Sequence, residues 1–260
     1  MRPILIAAVV LMGAGHAAAD GSSSSPIVTD RPAITDSSIV VPQGSLQFEN
    51  GFADTANAGL RSLDGSETLS RFGLASKTEL RLIAPDYFSQ SGAGSGFGDL
   101  AIGMKQQLGP TAGGFDVSLI VSLNLPSGAR AIANRSYDPS LQLPWSRALS
   151  RNWTAAGMFS VYWSTQQGNR DATGETTFLI DRQLTKTCDA FVEYAGDFPK
   201  EGGPRHLVHF GTAYKPTPHQ QFDLHVGVGM SSAAVDHFVG VGYSFRFQAI
   251  HLSKNVVTAP

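Results

Sequence analysis

The run Phe115-Asp116-Val117-Ser118-Leu119-Ile120-Val121-Ser122-Leu123-Asn124-Leu125 carries an apolar residue at every odd position and Asp, Ser or Asn at four of the five even ones. Period two is the period of a β-strand, whose successive side chains point to opposite faces, so one face of this segment is apolar and the other polar. The same pattern recurs near the end of the chain, where Val239, Val241, Tyr243, Phe245 and Phe247 alternate with Gly240, Gly242, Ser244 and Arg246.

Working outward from these two runs, the alternation predicts strands near 44–53, 67–76, 78–86, 97–108, 115–125, 139–149, 152–163, 174–184, 187–197, 205–215, 220–230 and 236–247. No segment between them holds a helical period for more than about two turns, so the chain reads as all-β, an antiparallel up-and-down transmembrane β-barrel of about 12 strands over 43–247. Pro85, Pro126, Pro139 and Pro199 sit at strand ends, where a missing amide donor does little harm. Pro144 falls inside the sixth strand and predicts either a bulge or a wrong boundary. Loops of one parity, Thr55–Ser66, Tyr87–Gly96, Pro126–Asp138, Ser164–Thr173, Asp197–Pro204 and Ser231–Val235, are longer than the turns between them, as in barrels with long external loops and short periplasmic turns.

The composition narrows the class. The chain has 260 residues, 42% hydrophobic and only 15% charged, with a net charge of -2. Charge gives no reason to expect nucleic acid, and Cys188 alone excludes an internal disulfide or a cysteine-rich zinc site. Residues 1–19 read as a signal peptide, with Arg2, the apolar run Ile4–Met12 and Ala17-Ala18-Ala19 before Asp20. Residues 20–42, rich in Ser, Pro and Asp, predict a periplasmic lead or partial plug, and 248–260 a periplasmic C-terminal tail.

Which face meets which solvent follows from three features. Strands of about ten residues match a tilted bilayer crossing. Trp153 and Trp163 share one face at the two ends of a single strand; ten steps of about 3.3 Å, tilted by roughly 40°, rise about 25 Å, the height of the band between aromatic girdles. The last strand ends in Tyr243-Ser244-Phe245-Arg246-Phe247, resembling the aromatic C-terminal strand by which outer-membrane proteins are recognised for assembly, although thirteen residues follow it here. The apolar set, including Leu46, Phe48, Phe72, Leu80, Leu82, Ile102, Met104, Phe222, Leu224 and Val226, is therefore predicted to face lipid. The aromatic girdle is assigned to Trp145, Trp153, Trp163, Tyr243, Phe245 and Phe247. The opposite parity predicts a pore lining of Glu49, Arg71, Glu79, Arg81, Asp99, Lys105, Asp116, Glu193, His209, Asp223, His225 and Arg246, with Gln47 and Gln142 beside them.

Several short motifs resemble the outer-membrane transporter family named for the meta-pathway of phenol degradation. They are Thr29-Asp30-Arg31-Pro32 through Thr35-Asp36-Ser37-Ser38, Val41-Pro42-Gln43-Gly44-Ser45-Leu46-Gln47-Phe48-Glu49, Ser70-Arg71-Phe72-Gly73-Leu74 followed by Glu79-Leu80-Arg81-Leu82, and Gly96-Phe97-Gly98-Asp99-Leu100 with Gly103-Met104-Lys105. The resemblance implies a Gram-negative outer-membrane barrel with a transport role, and brings no catalytic residues with it.

Other signals carry less. Gly92-Ala93-Gly94-Ser95-Gly96-Phe97-Gly98 is not a nucleotide loop, because Phe97 stands where the third Gly belongs and no helix follows. Asn134-Arg135-Ser136 and Asn152-Trp153-Thr154 match the glycosylation sequon, which a bacterial barrel would not use. His209, His225 and Asp223 are a candidate interior metal set or hydrogen-bonded lumen residues, and no Ser is tied to either His by a nucleophile motif. Cys188 reads as an unreactive lipid-facing or rim residue. The inward charges suit either a salt-bridged interior or a selective pore lining.

The expectation is a barrel passing small solutes passively, aromatic or hydrophobic ones among them, with no enzyme activity, cofactor or metal. Its partners would be outer-membrane lipid, small-molecule solutes and the barrel-assembly machinery. The alternatives are a closed structural or adhesive surface barrel, an outer-membrane phospholipase-like enzyme, and a soluble β-protein with a hydrophobic ligand inside.

Overall fold

A computed structural model describes residues 25–92, 94–166 and 168–250. The expected signal peptide and the tail beyond residue 250 lie outside the described residues. The strands are β1 (Ser45–Asn57), β2 (Leu60–Ala75), β3 (Thr78–Ile83), β4 (Tyr87–Gln90), β5 (Gly94–Phe97), β6 (Leu100–Gln107), β7 (Asp116–Leu125), β8 (Asp138–Ala148), β9 (Trp153–Gln166), β10 (Asn169–Gln183), β11 (Cys188–Phe198), β12 (Arg205–Thr217), β13 (Gln220–Gly229) and β14 (His237–Gln248).

Sequence neighbours pair antiparallel around the sheet, and β1 pairs with β14 from Ser45↔Gln248 to Ala56↔His237, which closes the cylinder. β4 and β5 are continuations rather than members of the ring. On β2 the partner passes from Ile83 opposite Leu69 to Tyr87 opposite Gly65 without a change of register, so β4 prolongs β3 beyond Ala84-Pro85-Asp86. β5 prolongs β6 in the same way beyond Gly98-Asp99. The closed barrel therefore has twelve strands, two of them interrupted.

The expected strands are all present, but three expected loops are not loops. Thr55–Ser66 and Ser164–Thr173 belong mostly to β1, β2, β9 and β10, the first pair running on to a tight turn at Ala58-Gly59 and the second pairing as far as Asn169↔Gln166. Tyr87–Gly96 is the β4–β5 hairpin. These extensions are held by cross-strand pairs such as Thr55↔Ser62 and by the ion pair of Arg61 with Asp54, polar contacts that leave no apolar alternation to read.

Pro144 neither bulges β8 nor bounds it. The register with β7 is the same on both sides of it, Val117↔Trp145 and Ile120↔Gln142, but the two pairs between are missing from the ladder. Pro144 still pairs with Met158 on β9, so its absent amide proton falls on the β7 side.

The molecule is apolar outside and polar inside. Arg71, Lys105, Gln47, Glu49, Glu79, Glu193 and His209 are fully buried, whereas Phe159 is 61% and Phe52 57% exposed. A water-soluble domain buries in the reverse sense. Trp153, Phe159 and Trp163 lie on the outer face of β9, and Phe48, Phe245, Phe247, Tyr243 and Phe222 form a stacked aromatic band on the outer face of β1, β13 and β14. Trp145 joins Phe115 and Phe178 on the same outer surface. Arg147 lies over Phe115 and Arg182 over Trp153, each 5.0 Å from the ring centroid. Cys188 shares the outward parity of Val192 and Tyr194, next to the β10–β11 turn.

Candidate functional site

Residues 25–44 occupy the lumen. The segment enters beside the β12–β13 turn, where the Ile27 amide donates to the Pro218 carbonyl at 2.7 Å and Arg246 donates to the Ser25 carbonyl at 2.7 Å. It rises to a crown at Arg31–Asp36, descends, and leaves past β2, the Gly44 amide donating to the Gly73 carbonyl at 2.8 Å. This is the end of the barrel at which β1 begins and β14 ends, here called the terminal end.

One side of the segment is held by a cluster of charges from β1, β2, β3 and β6. Arg71 donates through Nε and Nη2 to Glu79 at 2.9 and 3.0 Å and through Nη1 to Glu49 at 2.9 Å. Its remaining donor capacity goes to main-chain carbonyls of the segment, Val28 at 3.2 Å and Ile39 at 2.8 Å. Asp30 brings a negative charge into the cluster, paired with Arg81 and with Lys105 at 3.0 Å. Lys105 also donates to the Ser37 carbonyl at 2.8 Å, and Glu79 accepts the Val41 amide at 2.7 Å. Burying this many charges is tolerable only because each meets an opposite partner and a dense set of hydrogen bonds.

The crown is held from the other side of the wall. Glu193 on β11 accepts the amides of Ile34 and Thr35 at 2.9 and 2.7 Å and the Thr35 hydroxyl at 2.6 Å. Thr35 Oγ1 lies 2.5 Å from Thr177 Oγ1 on β10. Glu193 Oε2 is also 2.8 Å from His209 Nδ1, and His209 Nε2 is 3.0 Å from His225 Nδ1. Arg31 completes the line, with Nη2 3.4 Å from His225 Nε2 and 3.3 Å from Asp223, and Nη1 on Glu67. Its guanidinium fits a slot between Gly51 and Gly242, which are directly paired across β1 and β14; a Cβ at either would overlap it.

The structure thus brings together ten of the twelve expected lining residues, counting Glu49, Arg71, Glu79, Arg81, Lys105, Glu193, His209, Asp223, His225 and Arg246 as contacts of the inner segment or of one another. Asp99 is a correction. It lies in the break between β5 and β6, where alternation does not apply, and its carboxylate accepts the amides of Gly128 and Arg135 at 2.7 and 3.1 Å, fastening the β7–β8 loop. Asp116 sits half-buried at the terminal end of β7, opposite Ser146.

Of the two readings of His209, His225 and Asp223, the hydrogen-bonded one describes the histidines: the two rings meet, and both nitrogens of each are taken up by hydrogen bonds. In the β12–β13 turn, burial and then the charge of Arg246 hold the His219 imidazole below its ordinary 6.5. Sequence reasoning missed the partners within the segment, Asp30, Arg31, Thr35, Asp36 and Ser38; the two acidic residues among Ser, Thr and Pro were the available signal.

At the level of the crown Ile120, Met158, Thr177, Glu193 and His209 are all buried. Below it, between the segment and β8–β13, lies a cavity of about 260 Å³ whose wall includes Ala156, Leu179, Phe191, Asp181, Asp189 and Lys215.

Residues 29–247 match the family described as "Putative MetA-pathway of phenol degradation". The chain belongs to that family. In fold the chain is similar to an outer membrane channel from Pseudomonas putida F1, which is 13% identical, with a TM-score of 0.66 over 80% of this chain and 97% of that one. The NanC porin gives 0.56 at 8% identity, over 77% and 98% of the two chains, and the KdgM porin 0.52 at 13% identity, over 78% and 99%. At such identities the likeness is one of fold, and that fold is the outer-membrane barrel. No curated protein matches the sequence.

Proposed function

We propose that this member of the family resides in the bacterial outer membrane, reached through a cleaved signal peptide, and passes small solutes passively, aromatic or hydrophobic ones among them. Residues 25–44 are its internal gate, and the terminal end is the periplasmic one. One observation carries the reading: beside the inward side chains of the wall, the lumen holds a stretch of chain that belongs to no strand and is fastened to them by hydrogen bonds and ion pairs. A barrel built only as a rigid post needs no such guest, because inward side chains can fill a narrow cylinder themselves. Displacing the segment exposes a polar lining of Glu49, Arg71, Glu79, Arg81, Lys105 and Glu193, suited to hydrated solutes. The burial of Ile120, Met158, Thr177, Glu193 and His209 at the crown favours a second reading, the closed structural barrel.

Single-channel recording in planar bilayers separates the two. The full chain is expected to conduct in rare openings, and a variant lacking residues 26–41 to conduct steadily. No current from either chain would overturn the channel. Liposome swelling across aromatic acids, sugars and amino acids then reads the solute class.

A further inference from the structure

The line Arg31, His225, His209, Glu193 runs from one end of the crown to the other, through hydrogen bonds of 3.4, 3.0 and 2.8 Å. An arginine only donates and an ionised carboxylate only accepts. These two ends fix both rings between them. His225 must accept at Nε2 and donate from Nδ1; His209 must accept at Nε2 and donate from Nδ1 to Glu193. Both imidazoles are then neutral, and every ring nitrogen is used.

An added proton ends in one of three places. Taken up by His225, it sits on Nε2 and turns a donor and a positive charge toward the Arg31 guanidinium. Taken up by His209 at Nε2, it leaves His225 neutral with its own proton moved from Nδ1 to Nε2, so that a donor again faces Arg31 while the charge stays on His209. Taken up by Glu193, it removes the charge that holds the Ile34 and Thr35 amides and the Thr35 hydroxyl.

The surroundings are acidic around Arg31. On β13, Asp223 pairs with Arg31 through one oxygen and keeps the other buried without a partner, so a charged His225 competes with Arg31 for this carboxylate. On β2, Glu67 holds the other guanidinium nitrogen, and Asp64 and Asp86 lie within electrostatic reach of both. On β1, Glu49 is engaged by the Asp30 and Arg31 amides and by Arg71. On β11 the neighbours of His209 are Glu193 and Phe191, and β14 presents Phe238 and the glycines 240 and 242. A Cβ on Gly240 would strike the His225 ring, so the ring has no second position on that side.

We propose that this line is an acid-operated latch, in which protonation expels Arg31, frees the crown and opens the lumen. The proposal rests on the channel reading above. It is tested with the full chain in planar bilayers stepped from about pH 7.5 down to about pH 3, through and below the ordinary imidazole range. The wild type is expected to open about tenfold more often in acid. His225→Gln, which keeps one donor and one acceptor, is expected to stay closed at both ends of that range, and Arg31→Met to conduct at both. A nitroxide on Ala33→Cys, in a Cys188→Ser background, gives a second readout: its mobility is expected to rise in acid and to stay unchanged when His225→Gln is added.

A wild type whose current and nitroxide mobility are both indifferent to pH would overturn the latch, as would a His225→Gln variant that responds like the wild type. Silence of every variant in the bilayer, with the nitroxide still released by acid, would leave the latch standing and defeat the channel.

Discussion

Glu49 and Glu193, separated around the wall by three strands, each accept the amides of two consecutive residues of the inner segment, Asp30 and Arg31 in one case, Ile34 and Thr35 in the other. The crown is therefore gripped by its main chain at both ends. Hydrogen bonds to a charged acceptor are worth about 1.5–3 kcal/mol each. Glu193→Ala is expected to speed deuterium exchange at Ile34 and Thr35 by at least about tenfold while leaving Asp30 and Arg31 protected. Equal exchange at all four amides would show that the two grips are not separate.

Arg71 is the hub of the charge cluster: removing it leaves Glu49 buried without its cation and takes one cation from each of Glu79 and Asp30, which keep Arg81 and Lys105. Losing one partner of a buried ion pair costs about 3–5 kcal/mol. Arg71→Met is expected to raise channel opening and to lower the denaturant midpoint in detergent micelles. Adding Glu79→Leu should recover part of that loss, and a fully additive double-mutant cycle would deny the coupling.

Phe159 projects from the middle of β9 between Trp153 and Trp163 and is 61% exposed. A cation at mid-bilayer on an outer strand costs about 2–4 kcal/mol. Phe159→Arg should lower barrel stability in lipid by that amount, and Phe159→Trp should be quenched best by lipids brominated deep in the acyl chain. Quenching by a water-soluble agent instead would place this face in water.

The Gly51–Gly242 slot gives a steric test that touches no charge. Gly51→Val is expected to displace Arg31 and raise current at neutral pH, at about 1–3 kcal/mol of overpacking. Gly174→Ala, where an added Cβ meets nothing within 4 Å, is the silent control.

How much of this the residues announced depends on where alternation holds. Within the wall, period two placed Glu49, Arg71, Glu79 and Glu193 on the same side of a single surface, because one face meets an apolar medium and the other does not. It failed where the apolar residues do not alternate, as in the ribbon of residues 54–57 with 60–63, and where the strand is cut, as at Pro85 and Asp99. Pro144 was legible as an anomaly but not as its solution, since an antiparallel ladder can drop two pairs without changing register. The contacts of Asp30 and Thr35 were beyond reach, because a segment without regular structure has no period to say what it touches.

The stretch that fills the lumen comes first in the chain, yet its fastenings include Glu193 on β11, His225 on β13 and Arg246 on β14. The full set of these fastenings exists only once the last hairpin has joined the first strand, so corking and closure complete one another.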